Sequence, residues 1–207
     1  MADRPWPSLL LVGPTGSGKT PLGEEIERRG LAGRRCLHFD FGASLRAVAA
    51  IPAEESGLTA SERAAVLDSL ASGALFEDRD MPMIVKILDR FVEERGLTSD
   101  SLLVLNGLPR HRRQAESLGG IVAVERVVEL RAPAAVIRER IALDTGGDRA
   151  ERVDDALEAV EARLALYRQR TRPLIDHYQR LGVPVSVITV TGPMTAAEMY
   201  EALAAQT

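Results

Sequence analysis

Among its 207 residues the sequence has a single cysteine, Cys36. That excludes a disulfide framework and a structural zinc site of the Cys₄ or Cys₃His kind, and the expected setting is the reduced cytoplasm. Cys36 itself reads as a small buried apolar residue on a strand. Histidine is scarce too: His38, His111 and His177 lie far apart, with no metal-ligand spacing. No apolar run approaches the roughly 20 residues of a membrane span, and residues 1–7 (MADRPWP) lack the charged-then-apolar layout of a secretory signal. Positive charge is not in excess either. With 26 Lys and Arg against 30 Asp and Glu, the formal net charge is −4 and no basic tract stands out, so the electrostatic footprint of a nucleic-acid binder is missing. Internal repeats, heptads and low-complexity linkers are also absent. What remains is one domain spanning residues 1–207, hydrophobic enough for a sizeable core. Its expected partners are small molecules, and its expected state is a monomer.

What is present begins with residues 13–20. They read Gly13-Pro14-Thr15-Gly16-Ser17-Gly18-Lys19-Thr20, a complete GxxxxGK[ST] phosphate loop. The apolar run Leu9-Leu10-Leu11-Val12 precedes it, and Leu22 and Ile26 recur behind it at helical spacing, which is the strand–loop–helix setting the motif needs. Glycines let backbone N–H groups turn inward around phosphate oxygens, and the helix N-terminus adds partial positive charge. The motif predicts that Gly13, Gly16, Ser17, Gly18, Lys19 and Thr20 bind ATP. Lys19 would reach the β/γ-phosphates, and the Thr20 hydroxyl would face Mg²⁺.

Strand-like runs at 9–12, 35–39, 102–105, 126–130 and 184–190 alternate with helical patterns. The helical patterns fall near 18–29, 42–50, 59–72, 82–95, 110–118, 133–143, 152–180 and 195–205. This predicts an α/β fold of the P-loop NTPase type, a parallel sheet of about five strands covered by helices on both faces. Continuous apolar strands such as Leu102-Leu103-Val104-Leu105 fit burial on both sides. The stretch between the second and third strands is too long for a plain crossover. Leu58, Ala65, Leu67 and Leu70 within it suggest a helical insertion at 43–82, a candidate substrate lid. A second, short lid is expected at the polar stretch 144–151, where Gly146-Gly147 supplies backbone freedom.

Other motifs surround the loop. Asn106-Gly107-Leu108-Pro109-Arg110 ends the third strand, with Gln114 four residues on, and His38-Phe39-Asp40-Phe41-Gly42-Ala43-Ser44-Leu45-Arg46 ends the second strand and opens a helix. Arg140 closes an amphipathic helix, Arg152-Val153-Asp154-Asp155 precedes Arg163, and Gly192-Pro193 follows the last strand. Together, over nearly the whole chain, these resemble the adenylate kinase family of nucleoside monophosphate kinases in its short-lid form. The resemblance implies transfer of the ATP γ-phosphate to AMP or another monophosphate. In that reading Gly42, Arg46, Gly107, Arg110 and Gln114 bind the acceptor, Gln114 at its base, while Arg140 and Gly192 lie at the ATP base. Lys19, Arg110, Arg152 and Arg163 would stabilise the moving phosphoryl group, and Thr20 and Asn106 would face the metal.

Arginines suit such chemistry because phosphoryl transfer spreads charge over equatorial oxygens that planar guanidinium forks bind bidentately. Each also has a bland reading: Arg163 could pair with Glu158 or Glu161, and Asp154-Asp155 could serve a helix start. The sequence departs from the family pattern at four positions. Asn106 replaces a carboxylate, Phe41 a threonine and Ala43 an aspartate, while Asp144 falls where a lid arginine is expected. Two alternatives stay open. Asp40 could orient or deprotonate a small hydroxyl acceptor, although the readier reading is that it only caps the following helix. The chain could also be a non-catalytic ATP-binding protein whose lids close without transfer.

Overall fold

A computed structural model describes residues 4–147 and 157–207. Five strands, β1 (Trp6–Val12), β2 (Cys36–Asp40), β3 (Leu102–Asn106), β4 (Val122–Arg131) and β5 (Val185–Thr189), form one sheet in the order β2-β3-β1-β4-β5. Every pairing is parallel. The helices are α1 (Lys19–Arg29), α2 (Phe41–Ala50), α3 (Ala53–Ser56), α4 (Ala60–Ser72), α5 (Met81–Arg95), α6 (Arg112–Leu118), α7 (Ala134–Ala142), α8 (Leu157–Leu166), α9 (Pro173–Arg180) and α10 (Ala196–Ala204).

Side-chain alternation within the strands decides the layering. Leu9 and Leu11 of β1 point to one face, where Leu22 and Ile26 of α1 and Met199 and Leu203 of α10 cover them. Leu10 and Val12 point to the other face and join Phe39, Leu103 and Leu105 with the buried residues of α2, α4, α5, α6 and α9. The central runs Leu9–Val12 of β1 and Leu102–Leu105 of β3 therefore read apolar throughout, as strands sandwiched between helix layers require. The expected P-loop kinase fold is the one observed.

Differences from the sequence reading have local causes. Strand β1 begins at Trp6 and β4 at Val122, pairing with each other across a register shift between Ser8 and Leu9. The helix expected over 152–180 is, in its described part, interrupted. A π-turn at Tyr167–Thr171 closes with Arg172 N–H donating to Tyr167 O at 2.8 Å, immediately before Pro173 starts α9. Proline cannot donate into a preceding α-helical turn, so the turn widens and α9 restarts with proline in its first position. Between β2 and β3, Val48 of α2, Leu58 of the loop between α3 and α4, and Val66 of α4 join the same apolar cluster as the sheet. The short helix α3 lies outside the expected patterns, and its four residues are too few for a periodic signal.

Candidate active site

The carboxyl ends of β1, β2 and β3 lie side by side, and in an open α/β sheet this is where ligand crevices form. The chain leaves β1 in the phosphate loop and enters α1 at Gly18, whose φ of 92° is the left-handed conformation that glycine adopts without strain. Gly16 is also left-handed, at φ 75°, and a Cβ there would lie 2.7 Å from Ile141 Cγ1. The Lys19 ammonium donates to the carbonyls of Gly13 and Pro14, each at 2.8 Å, which holds it over the loop.

Next to the loop sits a polar chain drawn from α1 and the strands β2 and β3. Thr20 Oγ1 donates to Asp40 Oδ2 at 2.7 Å. Asn106 Nδ2 donates to the same Asp40 oxygen at 2.9 Å and to Thr20 Oγ1 at 3.0 Å, and it lies 3.3 Å from His38 Nε2. A carboxylate only accepts, so the Asn106 amide nitrogen has to face Asp40. The amide has two protons for three acceptors: one is shared between Asp40 and Thr20, whose oxygens are 2.7 Å apart, and the other serves His38 Nε2, which places the ring proton on Nδ1. Burial holds His38 below the ordinary imidazole range, in keeping with a neutral ring. Asp40 also caps α2, its Oδ1 accepting from Ala43 N–H at 2.9 Å. Burial alone would raise its pKa, but the Thr20 hydroxyl, the Ala43 N–H and the charge of Arg46 outweigh that and hold it below the usual carboxylate range. Strand register explains the cluster: Asp40 and Asn106 are direct partners across β2 and β3, and His38 is one pleat behind.

Two of the expected acceptor residues face this cluster. The charge of Asp40 acts on both Arg46 and Arg110. Arg110 is exposed yet walled in by enough protein that desolvation lowers its pKa, as at the floor of a cleft, and a guanidinium remains charged there. Among the described residues neither guanidinium donates a hydrogen bond to the protein or forms an ion pair. Gly42 lies beside them, with Arg46 Nη1 3.6 Å from where its Cβ would be, and Gly107 follows Asn106 at φ 82°.

Other expected residues are put to different use. Gln114 is 1% exposed; its carbonyl accepts from Arg110 N–H at 2.8 Å and its amide donates to Phe76 O at 2.9 Å. Both ends therefore hold the turn that carries Arg110. Arg140 is 2% exposed and donates to the carbonyls of Gly16 (3.3 Å), Thr191 (2.9 Å), Gly192 (3.0 Å) and Met194 (2.7 Å). It ties the phosphate loop to the segment after β5 from below and presents no open face to a base. Gly192 packs so closely on Glu139 that a Cβ would meet the carboxylate at 2.6 Å. Phe41 is 4% exposed, its ring 6.0 Å from Phe39 and 5.8 Å from Phe76. Arg163 is half-buried on α8 and has a partner of its own. Asp144 adopts φ 43° with a buried Oδ1 that has no partner among the described residues. The lid expected at 144–151 lies in part, and Arg152 wholly, outside the described residues.

The His38–Asn106 contact is what sequence reasoning missed. Its signal was available: residues 38 and 40 share one face of a strand that ends level with Asn106. A cavity of about 400 Å³ lies elsewhere, at the amino-terminal ends of the strands, lined by Glu27, Arg34, Arg35 and Tyr200 among others. Its guanidiniums are occupied, Arg34 by Glu125 and the Ser101 carbonyl and Arg35 by the carbonyls of Gly96 and Arg95.

An adenylate kinase of Xylella fastidiosa (strain M12) is 33% identical to this chain over 189 residues, covering 86% of the chain and 89% of the relative. The chain belongs to the adenylate kinase family. Another adenylate kinase, from Nitrobacter winogradskyi, is 31% identical over 196 residues, with 90% and 85% covered. No protein-family model matches the chain. Among solved structures, an unliganded sugar kinase from Janibacter sp. HTCC2649 aligns over 95% of this chain and 91% of that one, at 15% identity and a TM-score of 0.49. Family membership makes this chain a phosphotransferase of the kinase type.

Membership of this family implies Mg²⁺, and the residues beside the loop fit that ion. The Thr20 hydroxyl and Asp40 carboxylate are hard oxygen donors, and the described residues contain no group of three or more His, Cys, Asp or Glu that could hold an ion by themselves. Mg²⁺ suits such a sparse site, since it keeps several waters and is otherwise held by substrate phosphates. No described helix is long and apolar enough to cross a membrane.

Proposed function

We propose that this protein transfers the γ-phosphate of ATP to a nucleoside monophosphate, with AMP the leading acceptor because the relatives at about 30% identity are adenylate kinases. The observation that carries the reading is the pair of arginines, Arg46 and Arg110, beside the phosphate loop with no hydrogen-bonding or ion-pair partner among the described residues. Two unengaged guanidiniums around one carboxylate suit an anionic acceptor, and a phosphate binds such forks bidentately.

The division of labour follows from charge. Phosphate-loop N–H groups and Lys19 hold the donor phosphates, and Arg46 and Arg110 bring the acceptor phosphate into line. Arg152 and Arg163 complete the cationic shell when the insertion at 43–82 and the lid at 144–151 close, which also excludes water from the transferring group. Mg²⁺, when bound, supplies charge neutralisation across the donor phosphates. An acceptor phosphate is already an anion, so no general base is required. Asp40 is poorly suited to that role in any case, because its folded environment favours the ionised form and weakens it as a base.

With Gln114 engaged at both ends and Phe41 buried, neither offers a free hydrogen bond to an acceptor base. Selectivity among bases is accordingly modest. The test is ADP production from MgATP against AMP, CMP, UMP, GMP, the deoxy monophosphates and simple hydroxy acids. Stimulation by monophosphates supports the proposal. Stimulation by hydroxy acids alone would move the chemistry to Asp40, and ATP binding without stimulation by any acceptor would make the chain a nucleotide sensor.

A further inference from the structure

We propose that Asp40, at the end of β2, is the carboxylate through which this chain holds Mg²⁺ beside the phosphate loop, and that Asn106, pinned by His38, is the residue that positions it. The inference rests on the nucleotide-binding reading above and assigns the metal a protein contact that the sequence motif places elsewhere.

Hydrogen-bond capacity makes the argument. A threonine hydroxyl has one proton and two lone pairs. In this structure the Thr20 proton goes to Asp40 and one lone pair accepts from Asn106, so one lone pair remains for a cation. A carboxylate offers about four acceptor positions. Asp40 uses them for Thr20, Asn106 and Ala43 N–H, which leaves one to receive a proton from metal-bound water. Asn106 cannot take that role, because its amide nitrogen faces the cluster and a donor repels a cation. His38 fixes this orientation from behind, and it cannot retreat: its ring fills the space over Gly23, where a Cβ would lie 2.2 Å from Nε2. The other carboxylate at a neighbouring strand end, Glu129, is tied to its own strand's Arg131 through contacts at 2.6 and 3.3 Å. Negative charge lost at position 106 is thus supplied from the adjacent strand.

The test is Mn²⁺ binding followed by electron paramagnetic resonance, in the presence of a non-hydrolysable ATP analogue, for the unaltered protein and for Asp40→Asn, Asp40→Ser and the exchange Asp40→Asn/Asn106→Asp. Asparagine and serine are both good helix caps, so α2 keeps its start, and thermal melting verifies the fold of each variant. Analogue binding in EDTA is measured alongside. Loss of such a contact lowers metal affinity by about 10- to 100-fold. We expect that loss in both single variants, unchanged analogue binding in EDTA, and recovery of at least half of the logarithmic loss in the exchange variant. Mn²⁺ affinity within twofold of the unaltered protein in Asp40→Asn and Asp40→Ser would overturn the assignment while leaving nucleotide binding intact. Failure of the unaltered protein to bind the analogue in any buffer would overturn the phosphoryl-transfer reading, and the metal assignment with it.

Discussion

Replacing Arg140 by methionine keeps the aliphatic stem and removes the guanidinium that serves Gly16, Thr191, Gly192 and Met194. Those carbonyls belong to segments far apart in sequence, and the side chain that joins them is 2% exposed. A buried polar group left without a partner costs about 1–3 kcal/mol. The contact at 3.3 Å is weak, and water can enter to serve one of the others, so two carbonyls stay uncompensated, for a total of roughly 2–6 kcal/mol. For a chain of this size each kcal/mol lowers the melting temperature by about 2–4 °C, so the central value of ~4 kcal/mol corresponds to a drop of about 8–16 °C. Arg140→Lys should recover part of the loss, since an ammonium carries three donors but cannot span the whole set. Thermal melting and urea unfolding measure the stability, and titration with a fluorescent ATP analogue measures the loop. Because Arg140 supports Gly16 directly, nucleotide affinity should fall with stability, and by a smaller factor. A melting temperature within about 3 °C of the unaltered protein, combined with a large loss of affinity, would refute this reasoning and return Arg140 to the ATP base.

Arg110→Ala should lower kcat/KM by about 30- to 1,000-fold, equivalent to roughly 2–4 kcal/mol of transition-state stabilisation, while leaving melting unchanged because the side chain makes no protein hydrogen bond among the described residues. A loss under threefold in steady-state assays would place Arg110 outside the reaction. Gly23→Ala improves helix propensity but drives a methyl into the His38 ring, 2.2–2.7 Å away. The net effect expected from urea midpoints is a destabilisation of about 1–3 kcal/mol, and a stabilised variant would show that the ring moves freely. Stability should also fall with acidity. Burial lowers the folded-state pKa of His38, so below about pH 6.5 the unfolded chain takes the proton first and the stabilisation is lost as pH falls further. Asp40, also lowered, contributes in the same direction below about pH 4. Urea midpoints from pH 7.5 to 5 should therefore slope downward, and less steeply in His38→Gln. Parallel profiles for the two proteins would contradict the buried neutral ring.

Much of this architecture could be read from the chain because its signals are local. The phosphate loop, the helix behind it and the apolar strand runs each specify themselves within a few residues. The start of β1 could not be read: Trp6-Pro7-Ser8 carries a proline and a serine, which in isolation suggest a turn, and only pairing with Val122–Val124 makes it a strand. In β4 the charges Glu125 and Arg126 broke the apolar pattern in the same way. At the site, motif spacing located Thr20, Asp40, Asn106 and Arg110 but not their hydrogen bonds. Gln114 and Arg140 show the limit most plainly. The first is committed by Phe76, 38 residues away, and the second by Gly16 and Thr191, 124 and 51 residues away. Side-chain type announces what a residue can do, and only tertiary placement decides which of its partners claims it.

The π-turn at Tyr167–Thr171 carries a further consequence. An α-helix advances about 100° per residue, so a widened turn sets everything beyond it out of phase with what came before. Val160 and Leu164 of α8 therefore close a small apolar group with Ile137 of α7, while Leu174, Ile175 and Tyr178 of α9 enter the large one under the sheet. Near-continuous helix thus answers to two masters, with one end packed on α7, whose Ile141 lies against Gly16 of the phosphate loop, and the other bolted to the frame. Removing a single residue from the turn would re-phase the two ends, so Val160 and Leu164 could keep their contact with Ile137 only if Leu174, Ile175 and Tyr178 gave up theirs.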